Sequence, residues 1–316
     1  MLVFGAVQEM NILYCFDSNF WQMAAVSIST LLSTQSNSAD LVIYCMVAPG
    51  TRGRGRIADI IKSHGAKLVW RTVRARENPF RRHDYSRWSP VIFYRIFACN
   101  IFPDVDKMLY LDSDTVIHDD LSAMYATDLG EYALGGVRDM ARVDKSDSTA
   151  GNYVRGFKEK YLRHGLYINS GVLLLNMPRM RECMPQLLAT DVPLKYPDQD
   201  ILNAGLDGMI LELPLRYNII PETEIAPKFT QEMRAGALDN PAVHHFYAIK
   251  PYIHHPGYPQ TYSEFFRACT PLGFYPEDFA RTDARRARHR LRSSWSHIPG
   301  VRITRRGNIR LFGIFR

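Results

Sequence analysis

Asp106-Lys107-Met108-Leu109-Tyr110-Leu111-Asp112-Ser113-Asp114-Thr115-Val116 is the stretch on which the fold turns. Met108 to Leu111 is an unbroken apolar run, the pattern of a strand buried on both faces. It ends in two carboxylates spaced i, i+2, and extended backbone sends such a pair to the same side. Convergent carboxylates at the carboxyl end of a strand suit a hard divalent cation that bridges to phosphate oxygens. Alone, Asp112-x-Asp114 is a weak signal, because a solvated strand end often carries two aspartates.

Upstream, Asn11–Phe16 reads as a short apolar strand ending in a turn at Asp17-Ser18-Asn19. Trp21, Ala24, Ala25, Ile28, Leu31 and Leu32 fall at helical spacing. Leu41–Val47 is a second strand, a helix runs through Ile57, Ile60 and Ile61, and Lys67–Val73 is a third strand. This β-α-β-α-β order predicts a parallel sheet with helices on its faces. The arginine-rich segment 74–89 predicts a surface loop, and Pro90–Asn100 a helix carrying Tyr94 and Arg95.

Downstream, Tyr132–Val137 is a strand ending near Asp139, and the polar segment 139–165 predicts a mobile connection. Tyr167–Met177 carries the strongest strand pattern, interrupted by Asn169-Ser170-Gly171. Pro178 and Pro197 each sit near a helix start, the second opening on Asp198-Gln199-Asp200. Met209–Leu213 and Ala242–Phe246 are short strands, and the latter is followed by Lys250-Pro251-Tyr252.

Each polar group has a chemistry and a plain structural counterpart. Arg95 is a fixed cation for a phosphate or a carboxylate, or a surface arginine. Asn169 can bond a sugar hydroxyl, or mark a bulge. Asp198 and Asp200 can bind substrate, or complement the helix dipole. His244 or His245 can complete a metal site, or be a satisfied core histidine, and Lys250 can neutralise a diphosphate. Their joint occurrence at strand ends, in a compatible order, favours function.

These residues resemble glycosyltransferase family 8, and among its members the bacterial lipopolysaccharide galactosyl- and glucosyltransferases. The resemblance covers about residues 11–255. Asp112-Ser113-Asp114 is similar to the family's D-x-D strand, Asn169-Ser170-Gly171 to its N-[AS]-G strand, and Asp198-Gln199-Asp200-Ile201-Leu202-Asn203 to its D-Q-D-x-L-N helix. His245-Phe246 with Lys250-Pro251-Tyr252 is similar to its H-[FY]…K-P-W block, with Tyr252 in place of Trp. His244 keeps the family's usual spacing to the lysine, and His245 keeps the following aromatic; His245 is preferred, His244 the alternative.

The resemblance implies an α/β, GT-A, Rossmann-like fold: a mixed, mainly parallel sheet flanked by helices. It implies Mn²⁺ (or Mg²⁺) on Asp112, Asp114 and the histidine, a UDP-hexose donor, and a glycolipid or oligosaccharide acceptor. Asp17, Asn19 and Ser113 would line the nucleotide pocket, with Lys250 at the phosphates. Arg95, Asp139, Asn169, Asp198 and Gln199 would hold the donor sugar beside Ser170, with Asp200 behind them. Transfer would retain configuration, with Gln199 at the sugar's reactive face and Asp139 and Asp198 beside it.

Composition limits the alternatives. The chain has 316 residues, 46% of them hydrophobic and 22% charged, normal for a globular protein. No apolar run approaches the ~20 residues that span a bilayer. Met1–Val7 lacks a basic leader pattern. Five scattered cysteines without a C-x-x-C pair predict buried reduced thiols.

The net charge of +7 is uneven: from Arg281 to Arg316 there are eleven arginines and one acid, Asp283. The remainder carries 28 basic and 31 acidic residues, so a mildly acidic body bears a basic tail. Ala284, Ala287, Leu291, Trp295 and Ile298 predict an amphipathic helix within that tail. Three regions are expected: an extension at 1–10, the transferase domain at 11–275, and a membrane-associating tail at 276–316. The tail would dock on anionic lipid, placing a cytoplasmic enzyme at the inner face of the membrane, with no nucleic-acid partner.

The strongest alternative is a haloacid-dehalogenase-like phosphohydrolase, since Asp112-Ser113-Asp114-Thr115 also fits its D-x-D-x-T strand, with Asp112 as nucleophile. That motif normally opens its fold, whereas about a hundred structured residues precede it here.

Overall fold

The computed structural model describes residues 9–82, 88–140, 149–219, 237–247, 265, 267–275, 279, 301–303 and 309–311. The chain divides into two compact units, Met1–Lys250 and Pro251–Arg316.

In the first unit, apolar runs become strands and the 3.6-period stripes become helices. The order is β1 (Met10–Phe16), α1 (Trp21–Thr34), β2 (Leu41–Val47), α2 (Arg54–Ser63), β3 (Lys67–Thr72), α3 (Tyr94–Ile101), β4 (Lys107–Leu111), β5 (Thr115–Ile117), α4 (Ser122–Tyr125), β6 (Leu134–Arg138), α5 (Thr149–Tyr161), β7 (Ile168–Asn176), α6 (Met177–Ala189), α7 (Pro197–Gly205), β8 (Ile210–Glu212) and β9 (Val243–His245). Pro90–Phe93 winds as a 3-10 turn and only Tyr94–Ile101 is α-helical, so the helix expected from Pro90 starts one turn later. Met10 is buried and pairs with Leu41, so the sheet begins within the expected extension.

Seven strands form one sheet in the order β3-β2-β1-β4-β7-β6-β8. The pairs β1/β2, β2/β3, β1/β4 and β6/β8 are parallel; β7 runs antiparallel to both β4 and β6. The expected mainly parallel, mixed sheet is therefore present. Its core is continuous from Leu13 and Met46 through Tyr94, Phe97 and Tyr110 to Leu173, Leu175 and Ile201.

Two irregularities shape the site. Gly136 pairs with Leu173 and Arg138 with Ile168, so Asn169–Val172 bulge against the single residue Val137. The expected interruption is thus a widened bulge inside one strand rather than a break between two. A second, two-stranded sheet sets β5 against β9, matching Thr115 with His245 and Val116 with His244.

The second unit contains an antiparallel pair, β10 (Val301–Ile303) with β11 (Ile309–Leu311), and a contact of Phe279 with Phe265 and Phe274. The helix expected over 284–298 lies outside the described residues. All five cysteines are free and buried.

Candidate active site

Asp112 follows the last residue of β4, and its backbone N–H donates to Gly171 O at 2.8 Å. Two residues on, Asp114 O accepts from Phe246 N at 2.9 Å, which ties the aspartate turn to the end of β9. Thr115 Oγ1 closes the turn by donating to Asp112 O, and bonds Ser27 of α1, which bonds Tyr14 of β1. This buried hydroxyl chain fixes the backbone that carries both carboxylates.

Asp112, Asp114 and His245 converge, each offering a ligand atom, with these atoms all within 4.8 Å of one another. His245 Nε2 lies 3.5 Å from Asp112 Oδ2 and 3.3 Å from Asp114 Oδ1, buried and without a hydrogen-bond partner. Burial alone would lower the imidazole pKa, but the two carboxylates outweigh it and lift it to about 9. The proton marks where positive charge belongs. Two hard carboxylates and an imidazole make a suitable donor set for a divalent cation such as Mn²⁺ or Mg²⁺. His244, on the opposite strand face, meets His118 at 3.1 Å instead.

Gly171 makes this packing possible. A Cβ there would stand 2.0 Å from His245 Cε1, so the ring occupies the space that any other residue would fill. The close approach expected of this glycine is therefore to an imidazole of the same chain.

Arg95 reaches the cluster from α3. Its guanidinium pairs with Asp112 at 2.9 Å, donates to Ser170 O at 2.7 Å, lies 3.3 Å from Asp198 and stacks 4.3 Å from the Tyr110 ring centroid. Burial opposes the charge on Arg95, but Asp112, Tyr110 and Asp198 together more than compensate and the group stays a fixed cation. Burial likewise opposes ionisation of Asp112, yet Arg95 and then His245 hold its pKa below the ordinary aspartate value. Asp198 shares the same arginine through a longer contact, and burial pushes its pKa up. The bidentate contact explains the difference: Arg95 gives Asp112 two bonds, at 2.9 and 3.3 Å. Arg95 is thus an internal counter-ion as well as an expected sugar contact.

Beside it lies a buried polar wall. Gln199 Nε2 donates to Asp139 Oδ2 at 2.9 Å, and Gln199 Oε1 accepts from Ser170 N at 3.2 Å. Asn169 Nδ2 approaches Asp139 Oδ2 at 3.4 Å, and Ser170 Oγ donates to Asp198 at 2.8 Å. The bulge in β7 brings Asn169 and Ser170 to the first turn of α7. Asp200 faces away from this wall. It accepts from Tyr167 OH at 2.6 Å and Tyr153 OH at 2.8 Å, and burial raises its pKa to about 6.

Asp17 and Asn19 follow β1, where Leu13 pairs with Tyr110 and so sets both strand ends at one sheet edge. Asp17 Oδ1 accepts from Asn19 N at 2.8 Å, leaving the Asn19 side chain exposed. Ser113 Oγ is buried without a hydrogen-bond partner. Lys250 lies outside the described residues. Two further side chains join the site, Tyr110 from within the aspartate strand and Asn218 from a stretch without a motif. Tyr110 OH donates to Asp112, and Asn218 contacts both His245 and Asn169.

A Rossmann-like sheet with carboxylates, imidazole and a polar wall at its strand ends is the arrangement of α/β proteins that bind ligands outside the carboxyl ends of their strands. The family model for glycosyl transferase family 8 matches residues 11–252, and the chain belongs to that family. Lipopolysaccharide 1,2-glucosyltransferase of Escherichia coli K12 is 29% identical over 175 residues, 52% of this chain and 50% of that protein. The chain therefore matches about half the length of that curated relative. General stress protein A of Bacillus subtilis is 23% identical over 260 residues, covering 75% and 85% of the two chains. The crystal structure of the galactosyltransferase LgtC, in complex with donor and acceptor sugar analogs, superposes with a TM-score of 0.68 at 22% identity, over 86% of this chain and all of that one. The GT-A fold is thereby shown. Family membership also leaves the phosphohydrolase alternative without support.

Proposed function

We propose that this chain is a retaining hexosyltransferase that moves galactose or glucose from a UDP-sugar to a saccharide acceptor. Asp112, Asp114 and His245 would hold the divalent cation, Mn²⁺ or Mg²⁺, and their convergence in a family 8 chain is the observation that carries the reading. When bound, the cation supplies Lewis-acid stabilisation to the departing diphosphate.

The other steps fall to the chain's own groups. Arg95 keeps Asp112 ionised and aimed. Asp17, Asn19 and Ser113 would line the nucleotide side, and Lys250 would neutralise the phosphates. Asp139, Asn169, Ser170 and Asp198 hold the sugar hydroxyls, and Asp200 sets the start of α7 behind them. The C1–O bond to the diphosphate breaks while the acceptor oxygen bonds to C1 on the same face. The acceptor's proton passes to the oxygen that leaves. Both ends of the Gln199 amide are engaged, by Asp139 and by Ser170 N. Gln199 is accordingly a fixed dipole beside C1 rather than a nucleophile, unlike the opposed carboxylate pair of retaining hydrolases.

The E. coli relative's name supports a lipopolysaccharide or other surface glycan as acceptor. The arginines of 281–316 support docking on anionic lipid, a peripheral placement at the membrane's inner face.

The first test needs no acceptor. UDP release from UDP-galactose and UDP-glucose should require Mn²⁺ and stop with EDTA. Asp112→Asn should lower it by about 100-fold or more, the loss seen when transition-state charge stabilisation is removed. Wild-type hydrolysis by that variant would defeat the metal assignment.

A further inference from the structure

Resting on the assignment of His245 as a metal ligand, we propose that Asn218 is the positioning residue that fixes the His245 tautomer and leaves Nε2 open to the cation. The chain of bonds begins at a group that can only donate. Gly171 N–H reaches the Asn169 side chain at 2.9 Å, so the atom there is Oδ1. The same oxygen meets the Asn218 amide at 3.0 Å, so Asn218 presents its NH₂ to it. The other end of that amide is then oxygen, and it faces His245 Nδ1 at 3.1 Å. An oxygen acceptor requires Nδ1–H. A neutral imidazole holds one proton, so Nε2 keeps its lone pair. Nε2 is the atom aimed at Asp112 and Asp114. Flipping Asn169 would set its NH₂ against the Gly171 N–H, and flipping Asn218 would set its oxygen against Asn169 Oδ1, each an unmatched pair within a buried network.

The backbone holds this relay in register. Asn218 is buried, and its neighbour Ile219 clamps β9: Ile219 N–H donates to Val243 O at 2.9 Å, and His245 N–H donates to Ile219 O at 2.8 Å. The His245 ring is thus confined by the Gly171 backbone next to Cε1 and by Asn218 at Nδ1. Outer groups of this kind orient a metal-binding imidazole and raise its basicity, and their loss typically weakens metal binding by about 10–100-fold.

The test is Mn²⁺ binding by the full chain, read from the electron paramagnetic resonance of free Mn²⁺. Asn218→Ala should bind about 10–100-fold more weakly. Asn218→Asp keeps an acceptor for Nδ1–H but loses the donor to Asn169 Oδ1, so it should bind more tightly than Asn218→Ala and more weakly than wild type. The ¹⁵N spectrum of the Zn²⁺-loaded wild-type protein should show the remaining His245 proton on Nδ1, and this decides the matter even where a variant fails to fold. Wild-type affinity in Asn218→Ala, an equal loss in Asn218→Asp, or a proton on Nε2 would each overturn the proposal. Wild-type binding that survives His245→Ala would instead remove the ligand assignment itself, and this proposal with it.

Discussion

At the residue scale, the site is a contest between a proton and a cation for His245 Nε2. Burial disfavours the imidazolium, yet the two carboxylates raise its pKa to about 9. Below that value the cation must displace a proton, so each lower pH unit costs up to about tenfold in apparent affinity. Mn²⁺ binding should therefore tighten steadily from pH 6 to pH 8 and release about one proton per ion at pH 7. Calorimetry in two buffers of different ionisation heat measures that proton directly; heat independent of the buffer would rule the competition out. Such detail was only partly legible in the chain. Asp112, Asp114, Asn169 and Gln199 stand in local patterns whose spacing carries meaning. The choice between His244 and His245 does not, because adjacent strand residues face opposite ways and only the partner register assigns the faces. Pairing of Thr115 with His245 makes that assignment. Asn218 sits in Arg216-Tyr217-Asn218, a stretch with no motif, and its value comes from two contacts distant in sequence.

At the scale of elements, Arg95 is the joint. It bonds the turn after β4 through Asp112, β7 through Ser170 O, and α7 through Asp198, while its own helix packs on α6. Replacing Arg95 by Met keeps much of the stem but leaves the half-buried Asp112 and the buried Asp198 without the guanidinium they share. Removing one partner of a buried pair costs about 3–5 kcal/mol, and urea denaturation at pH 7 should show a loss of that size. The sign also fixes a pH trend. The depressed pKa of Asp112 stabilises the fold above the ordinary aspartate value and fades as pH falls through the lower folded value. Arg95→Met should thus lose least against wild type in acid and most at neutral pH. A variant as stable as wild type at pH 7 would show that solvent, not Arg95, balances these carboxylates. The elements themselves were readable where periodicity is strong, from β1 through β3. The reversal of β7 was not, since an apolar run such as Val172–Leu175 reads the same in either direction. Its bulge became visible only against β6.

At the scale of the whole molecule, charge separates along the chain. The body before Arg281 carries 28 basic and 31 acidic residues, and eleven arginines follow with a single acid. An acidic body gains nothing from an anionic surface, so any attraction must come from the tail. Arginines near an anionic leaflet contribute about 1 kcal/mol each, and the attraction falls within a Debye length of ~8 Å at physiological salt. The full chain should float with phosphatidylglycerol vesicles at 0.15 M salt and stay behind with phosphatidylcholine. At 1 M salt, where the Debye length is ~3 Å, flotation should drop sharply. A chain ending at residue 280 should remain in the soluble fraction. Since that cut removes β10 and β11, a full-length Arg285→Gln, Arg286→Gln, Arg288→Gln, Arg290→Gln variant separates charge from folding. It should lose most of the flotation while releasing UDP at the wild-type rate, because all four lie outside the family match at residues 11–252. Undiminished flotation of the quadruple variant would assign membrane contact to apolar residues such as Trp295, and equal recovery of all forms in the soluble fraction would end the membrane proposal.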